Sequence, residues 1–129
     1  MKKLKDYVDK YQLTLKHRAE IARRLTEETP EPFKRKVFDE AKEVSLEEMK
    51  EIAELQAQYE AHAKLVSKYM QPVRVIGAFY DGAYGYVVRP YANEYNHSVY
   101  VRLANDTDMM TPILVDVADL EINEHIKVW

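Results

Sequence analysis

Residues 73–88 read VRVIGAFYDGAYGYVV, and they hold all three glycines of a 129-residue chain, Gly77, Gly82 and Gly85. Val73 and Val75 alternate with other residues in the period of a strand, the pattern breaks at Asp81-Gly82, and it resumes around Val87. That is the signature of two short strands joined by a tight turn. Glycine is used where φ is positive or where backbones nearly touch. Gly82 is therefore expected in the turn, and Gly85 where the second strand begins bent and close to the first.

Downstream of this stretch the period of two persists, through Val99, Val101 and Leu103, then Ile113, Val115 and Val117, then Ile122, Ile126 and Val128. Breaks fall at YDGA, PYANEYNH, ANDTD and VADL. Five short strands in fewer than 60 residues predict a single small barrel, because closing a sheet removes its exposed edges.

Upstream the period is that of helices. Leu4, Val8, Tyr11, Leu15, Ala22 and Leu25 recur in steps of three and four with one longer gap near Arg18, which predicts one amphipathic helix from about residue 3 to residue 25. Pro30 and Pro32 end it. A shorter helix is expected next, with Phe33, Val37, Phe38 and Ala41 on one side. Ser45 then stands three residues before Glu48, the spacing of a capping box, ahead of Met49, Ile52, Leu55, Tyr59, Ala63, Val66 and Tyr69. The expected fold is α+β: a helical hairpin over residues 1–70, two long helices and a short third, then a small five-stranded barrel over residues 71–129.

The glycine spacing resembles the KOW motif of Src-homology-3-like barrels found in transcription elongation factors and ribosomal proteins. Its pattern falls on Val73, Val75, Ile76, Tyr80, Gly82, Gly85 and Val87, and VADL matches the short helical turn before the last strand of such barrels. The resemblance covers about 50 residues of the C-terminal part and none of the helices. It implies a binding module acting in transcription or translation. Where the motif has its first glycine this chain has Ala78, with Gly77 beside it.

Charge bears on which partner such a module takes. Residues 1–36 hold eleven Lys/Arg against six Asp/Glu, whereas residues 37–72 and 73–129 each hold four against eight. Affinity for nucleic acid rests largely on phosphate neutralisation. An acidic barrel therefore favours protein partners, as in Tudor-like barrels, with nucleic acid second. Lys3, Lys10, His17 and Arg24 recur every seven residues on the predicted first helix. They form a candidate nucleic-acid stripe, or else they face Glu47, Glu48, Glu51 and Glu54 within the hairpin.

Six of the ten tyrosines lie in the barrel segment. If Val87, Val99, Val101 and Leu103 point inward, then Tyr84, Tyr86, Tyr100 and Arg102 point outward. Tyr80, Tyr95 and His97 would frame that face from the neighbouring loops. Tyrosine and arginine are common in interfaces, so these seven residues are the candidate partner site, unless the helices cover them.

His17, His62, His97 and His125 show no zinc or di-iron spacing, and no phosphate loop, dinucleotide fingerprint or nucleophile elbow is present. No cofactor, no metal and no enzyme activity are expected. The chain lacks cysteine. Neither MKKLKDYVDKYQ nor any later window has the apolar core of a signal peptide or membrane span, so a soluble cytoplasmic protein is expected. Two further readings are a small phage-type or mobile-element inhibitor that blocks a host enzyme, and a structural protein that self-assembles through the hairpin.

Overall fold

A computed structural model describes residues 3–77, 80–104 and 112–122. The architecture is α+β and comprises, among the described residues, three α-helices, a two-stranded antiparallel sheet and a five-stranded antiparallel sheet. The chain divides into two compact units, residues 1–59 and 60–129.

The first unit departs from the expected hairpin in two places. Helix α1 (Leu4–Tyr11) stops after eight residues, and α2 (Leu15–Arg24) starts afresh. Gln12 takes the left-handed conformation, φ 51°, and closes α1 through its N–H to the Val8 carbonyl. Thr14 then caps α2, its Oγ1 accepting the His17 N–H at 3.1 Å. A threonine cap stabilises a helix by about 1 kcal/mol. Starting a second helix thus costs little, and the break lets Leu13 sink to full burial. A single helix would have carried Leu13 out of the Leu4–Val8–Tyr11 stripe.

The expected short third helix is instead a hairpin of β1 (Phe33–Val37) and β2 (Glu40–Val44), paired Phe33 to Val44 and Val37 to Glu40. Phe33, Val37 and Val44 are buried, whereas Phe38 and Ala41, which the expected helical face would have carried inward with them, are exposed. The loop is only Phe38-Asp39, both left-handed at φ 49° and 65°, as a two-residue hairpin turn of primed type requires.

This hairpin completes α1. The last carbonyls of a helix have no partner within it. Here Arg35 Nε donates to the Tyr11 carbonyl at 3.0 Å and Lys42 Nζ to the Lys10 carbonyl at 3.2 Å. Both cations also sit where the helix dipole is negative.

Helix α3 (Leu46–Val66) begins as its sequence predicts, with Glu48 N–H donating to Ser45 Oγ at 3.1 Å and Ser45 N–H to Glu48 Oε1 at 3.2 Å. Against its first turns lie the hydroxyls of two buried α1 residues, Tyr7 donating to Glu51 at 2.5 Å and Tyr11 to Glu48 at 2.9 Å. Burial, and then the bond to Glu51, push the Tyr7 phenol up to about 12. Leu13, Ile21, Phe33, Val44, Met49 and Ile52 join the two tyrosines in the core of this unit.

In the second unit the order is β6-β5-β4-β3-β7, all neighbours antiparallel, with β3 Pro72–Val75, β4 Tyr84–Ala92, β5 His97–Leu103, β6 Ile113–Asp116 and β7 Leu120–Ile122. The expected closed barrel is not formed: β6 and β7 are the edges and do not pair with each other among the described residues. A short 3-10 turn, Val117–Asp119, precedes β7, with Asp116 Oδ1 accepting the Ala118 N–H at 2.9 Å. Val73, Val75, Val87, Val99, Val101, Leu103, Val115 and Val117 are buried as the alternation predicts, Ile113 and Ile122 are only half-buried, and Leu120, which it did not mark, is buried with Ala63 and Val66 from the end of α3. His62 Nε2 lies 2.9 Å from the Val117 carbonyl and 2.7 Å from that of Leu120.

Two glycines have a visible reason. Gly82 has φ 86° in the turn before β4. At Gly85 a Cβ would stand 2.4 Å from the Arg102 carbonyl oxygen, so the close approach is to β5 rather than to β3. Ala78, His125, the ANDTD break beyond Ala104 and the expected strand residues Ile126 and Val128 lie outside the described residues.

Candidate binding face on the five-stranded sheet

The face of the sheet opposite its valine core is built by strand register. Cross-strand partners lie about 4.5–5.5 Å apart and interact through their side chains. On this face Arg74 stands opposite Tyr84, Tyr86 opposite Arg102, and Arg89 opposite Tyr100. Three successive rows thus pair one arginine with one tyrosine.

The geometry within the rows is close. The Arg89 guanidinium lies 4.4 Å from the Tyr100 ring centroid, and that of Arg74 5.7 Å from the Tyr84 centroid. A guanidinium over an aromatic ring contributes about 0.5–1 kcal/mol at an exposed site. Tyr91 meets Tyr100 edge-on with centroids 5.9 Å apart. Leu114, opposite Tyr100 on β6, is 48% exposed. The Nε atoms of Arg74 and Arg102 are buried without a hydrogen-bond partner among the described residues.

Carboxylates on this face stand at its borders. Glu121 on β7 is 3.5 Å from Arg74, and Asp116 on β6 lies opposite Ser98. The central block of Tyr86, Arg102, Arg89 and Tyr100 carries two positive charges and no negative one.

Of the seven residues expected to form the partner site, Tyr84, Tyr86, Tyr100 and Arg102 share this face. Tyr80 is exposed beside the turn that holds Gly82. Tyr95 is in the β4–β5 turn, where its N–H donates to Asn93 Oδ1 at 2.8 Å. His97 is in phase with Val99, on the opposite side of the sheet, with Nε2 2.9 Å from Glu60 Oε1. His97 is thus turned away from the other four.

Sequence reasoning missed Arg74, Arg89, Tyr91 and Leu114. The register shifts between Val87 and Arg89, so Val88 is the extra residue of a bulge. Beyond a bulge the alternation resumes with opposite phase, and this turns Arg89 and Tyr91 onto the face of Tyr86. Arg74 was readable from the outset as the polar residue between two inward valines.

The basic residues of the first unit do not make a stripe of period seven, because the helix that would carry them ends at Tyr11. Lys3 is exposed and precedes α1; Lys10 lies 3.8 Å from Glu48 and 5.0 Å from the Tyr11 ring centroid. Arg24 sits over Phe33 at 5.0 Å and bonds Glu20 at 3.1 Å. At His17, Nε2 is 2.9 Å from Arg35 Nη1. Nδ1 accepts the Thr14 N–H at 3.1 Å and lies 3.0 Å from Thr14 Oγ1. Burial first, and the Arg35 charge second, lower the His17 pKa. Lys10 and Glu48 thus show the pairing between helices that the charge pattern allowed.

No group of three or more metal-binding side chains is present among the described residues, and none of the described helices is long and apolar enough to cross a membrane. Compared with protein-family models, with curated proteins and with solved structures, the chain matches none.

Proposed function

We propose that this chain is a non-catalytic binding protein of the cytoplasm, acting on the transcription or translation machinery through the arginine–tyrosine face of its C-terminal unit. The observation that carries the reading is the register, which sets three arginines against three tyrosines on one sheet face. Tyrosine and arginine are among the residues whose truncation costs most at interfaces. Half-buried rings held by neighbouring guanidiniums also lose little rotamer freedom when a partner arrives.

A Src-homology-3-like relationship is part of the same proposal. It is supported by the order β6-β5-β4-β3-β7, in which the last strand lies beside the first strand of the sheet, and by the 3-10 turn before that last strand. The charge argument against nucleic acid weakens at this face. Residues 73–129 hold four Lys/Arg, and three of them, Arg74, Arg89 and Arg102, stand here.

The test is affinity purification of the full chain from its source cell, with Tyr86→Ser and Tyr100→Ser made separately and each checked for folding by thermal melting. Both folded variants are expected to lose the wild-type partner, with affinity falling about 30-fold or more, the equivalent of about 2 kcal/mol. Full retention of that partner by both would refute the reading.

A further inference from the structure

We infer that the occupant of the arginine–tyrosine face is a single strand of nucleic acid, its phosphates on Arg89 and Arg102 and its bases on the rings and guanidinium planes between them. The inference rests on the binding face proposed above and adds the chemistry of the ligand.

Three observations point the same way. The first is where charge stands. Arg89 and Arg102 occupy neighbouring rows of adjacent central strands, while the two carboxylates of the face, Glu121 and Asp116, lie on the edge strands. Glu121 is engaged by Arg74 at 3.5 Å. An anion crossing the middle of the sheet therefore meets two guanidiniums and no carboxylate.

The second is fit: a phosphate is the acceptor that a guanidinium fork matches best, through two parallel hydrogen bonds. The third is the alternation itself. Successive rows on one face of a strand are about 6.6–6.8 Å apart, and each offers one cation and one ring. Flat groups and anions alternate in the same manner along an unpaired polynucleotide. Arg89 is exposed and lies 4.4 Å from the Tyr100 ring centroid, and Tyr91, 46% exposed, stands against that ring. Bases stack on tyrosines and on guanidinium planes alike. A duplex keeps its bases stacked inside and would use the charges alone. An acidic peptide would use the arginines and leave the rings idle.

The experiment uses the full chain and fluorescently labelled oligouridylate and oligodeoxythymidylate of about 12 nucleotides, read by anisotropy across a salt series from about 50 to 200 mM. Binding is expected to weaken with salt, with a slope of log affinity against log salt near −1.4 for two phosphates and about −2 if Arg74 joins. Arg89 and Tyr91 are exposed, so Arg89→Ala and Tyr91→Ala leave the core untouched. Arg89→Ala should lower affinity and flatten the slope by about 0.7. Tyr91→Ala should lower affinity about fivefold or more and leave the slope unchanged.

A labelled duplex of the same length and a polyglutamate chain are the controls, and both should bind at least tenfold more weakly. The inference is overturned if no oligonucleotide binds at the lowest salt, if both variants bind as the wild type does, or if duplex or polyglutamate matches the single strand. If oligonucleotides fail while Tyr86→Ser and Tyr100→Ser still abolish a cellular partner, the face stands and its ligand is a protein. If oligonucleotides bind and the cellular partner is indifferent to those variants, the ligand stands and the assignment to a cellular machine falls.

Discussion

Replacing Gly85 by alanine should be the most damaging one-methyl change in the C-terminal unit. The added Cβ would stand 2.4 Å from the Arg102 carbonyl oxygen, 3.0 Å from its carbon and 3.0 Å from Val101 Cγ1. The first obstacle is backbone, so no rotamer change relieves it, and the β4–β5 ladder must open locally. Overpacking of this kind costs about 1–3 kcal/mol, and each ladder hydrogen bond weakened adds about 1 kcal/mol. Alanine restricts the unfolded chain more than glycine does, which returns about 0.4–1 kcal/mol. The net loss is about 3 kcal/mol, a drop of about 10–25 °C in melting temperature for a unit of this size. The assay is thermal unfolding of the full chain, followed by near-ultraviolet circular dichroism from the sheet tyrosines. Gly82→Ala is the internal comparison: φ is 86° there but the space is open, so the cost is only that of a left-handed alanine, about 1 kcal/mol. A Gly85→Ala protein melting within 2–3 °C of wild type, or above Gly82→Ala, would refute the reasoning.

Two further expectations concern the first unit. Phe38 is 89% exposed with φ 49°, a strained placement for an aromatic residue, so Phe38→Asn should raise stability by about 0.5–1 kcal/mol; a lower melting temperature would contradict the turn geometry. His17 is held below its ordinary value of 6.5, so its neutral form favours the fold; that contribution is complete above pH 6.5 and drains away as pH falls toward the lowered value. Melting temperatures from pH 8 to pH 5 should therefore decline below 6.5 in the wild type and stay flatter in His17→Gln, and identical profiles would remove His17 from the account. At Glu48 burial raises the pKa, but hydrogen bonds from the Ser45 N–H, the Tyr11 hydroxyl and Ser45 Oγ outweigh it and leave it lowered. Its share of stability is lost only below about 4.5, outside that window.

The legible parts of this chain are those where local chemistry and tertiary packing agree. Ser45 and Glu48 announce α3, and the valine alternation announces β3, β5 and β6, because a sheet with one buried face leaves its period in the sequence. The N-terminal break was hidden since Leu15 fits the i+4 spacing from Tyr11 as well as it fits a new start, and the cap at Thr14 has histidine rather than glutamate three residues on. The hairpin was hidden because Phe38-Asp39 fills a turn where asparagine and glycine are the usual signal. Half of the arginine–tyrosine face was legible by alternation. Arg74 and Leu114 were open to the same alternation, but Arg89 and Tyr91 were not, because a bulge is a tertiary event that one residue, Val88, leaves unmarked.

The capping of α1 by Arg35 and Lys42 reaches beyond local stability. An isolated helix shorter than about 12 residues is marginal in water, and this one has eight. Its terminal carbonyls are closed by side chains 24 and 32 positions further along, on a hairpin. The amides of α1 therefore have no reason to open by themselves while that hairpin is folded. They belong to one cooperative unit, and their hydrogen exchange should follow the free energy of the β1–β2 amides rather than that of a fraying terminus.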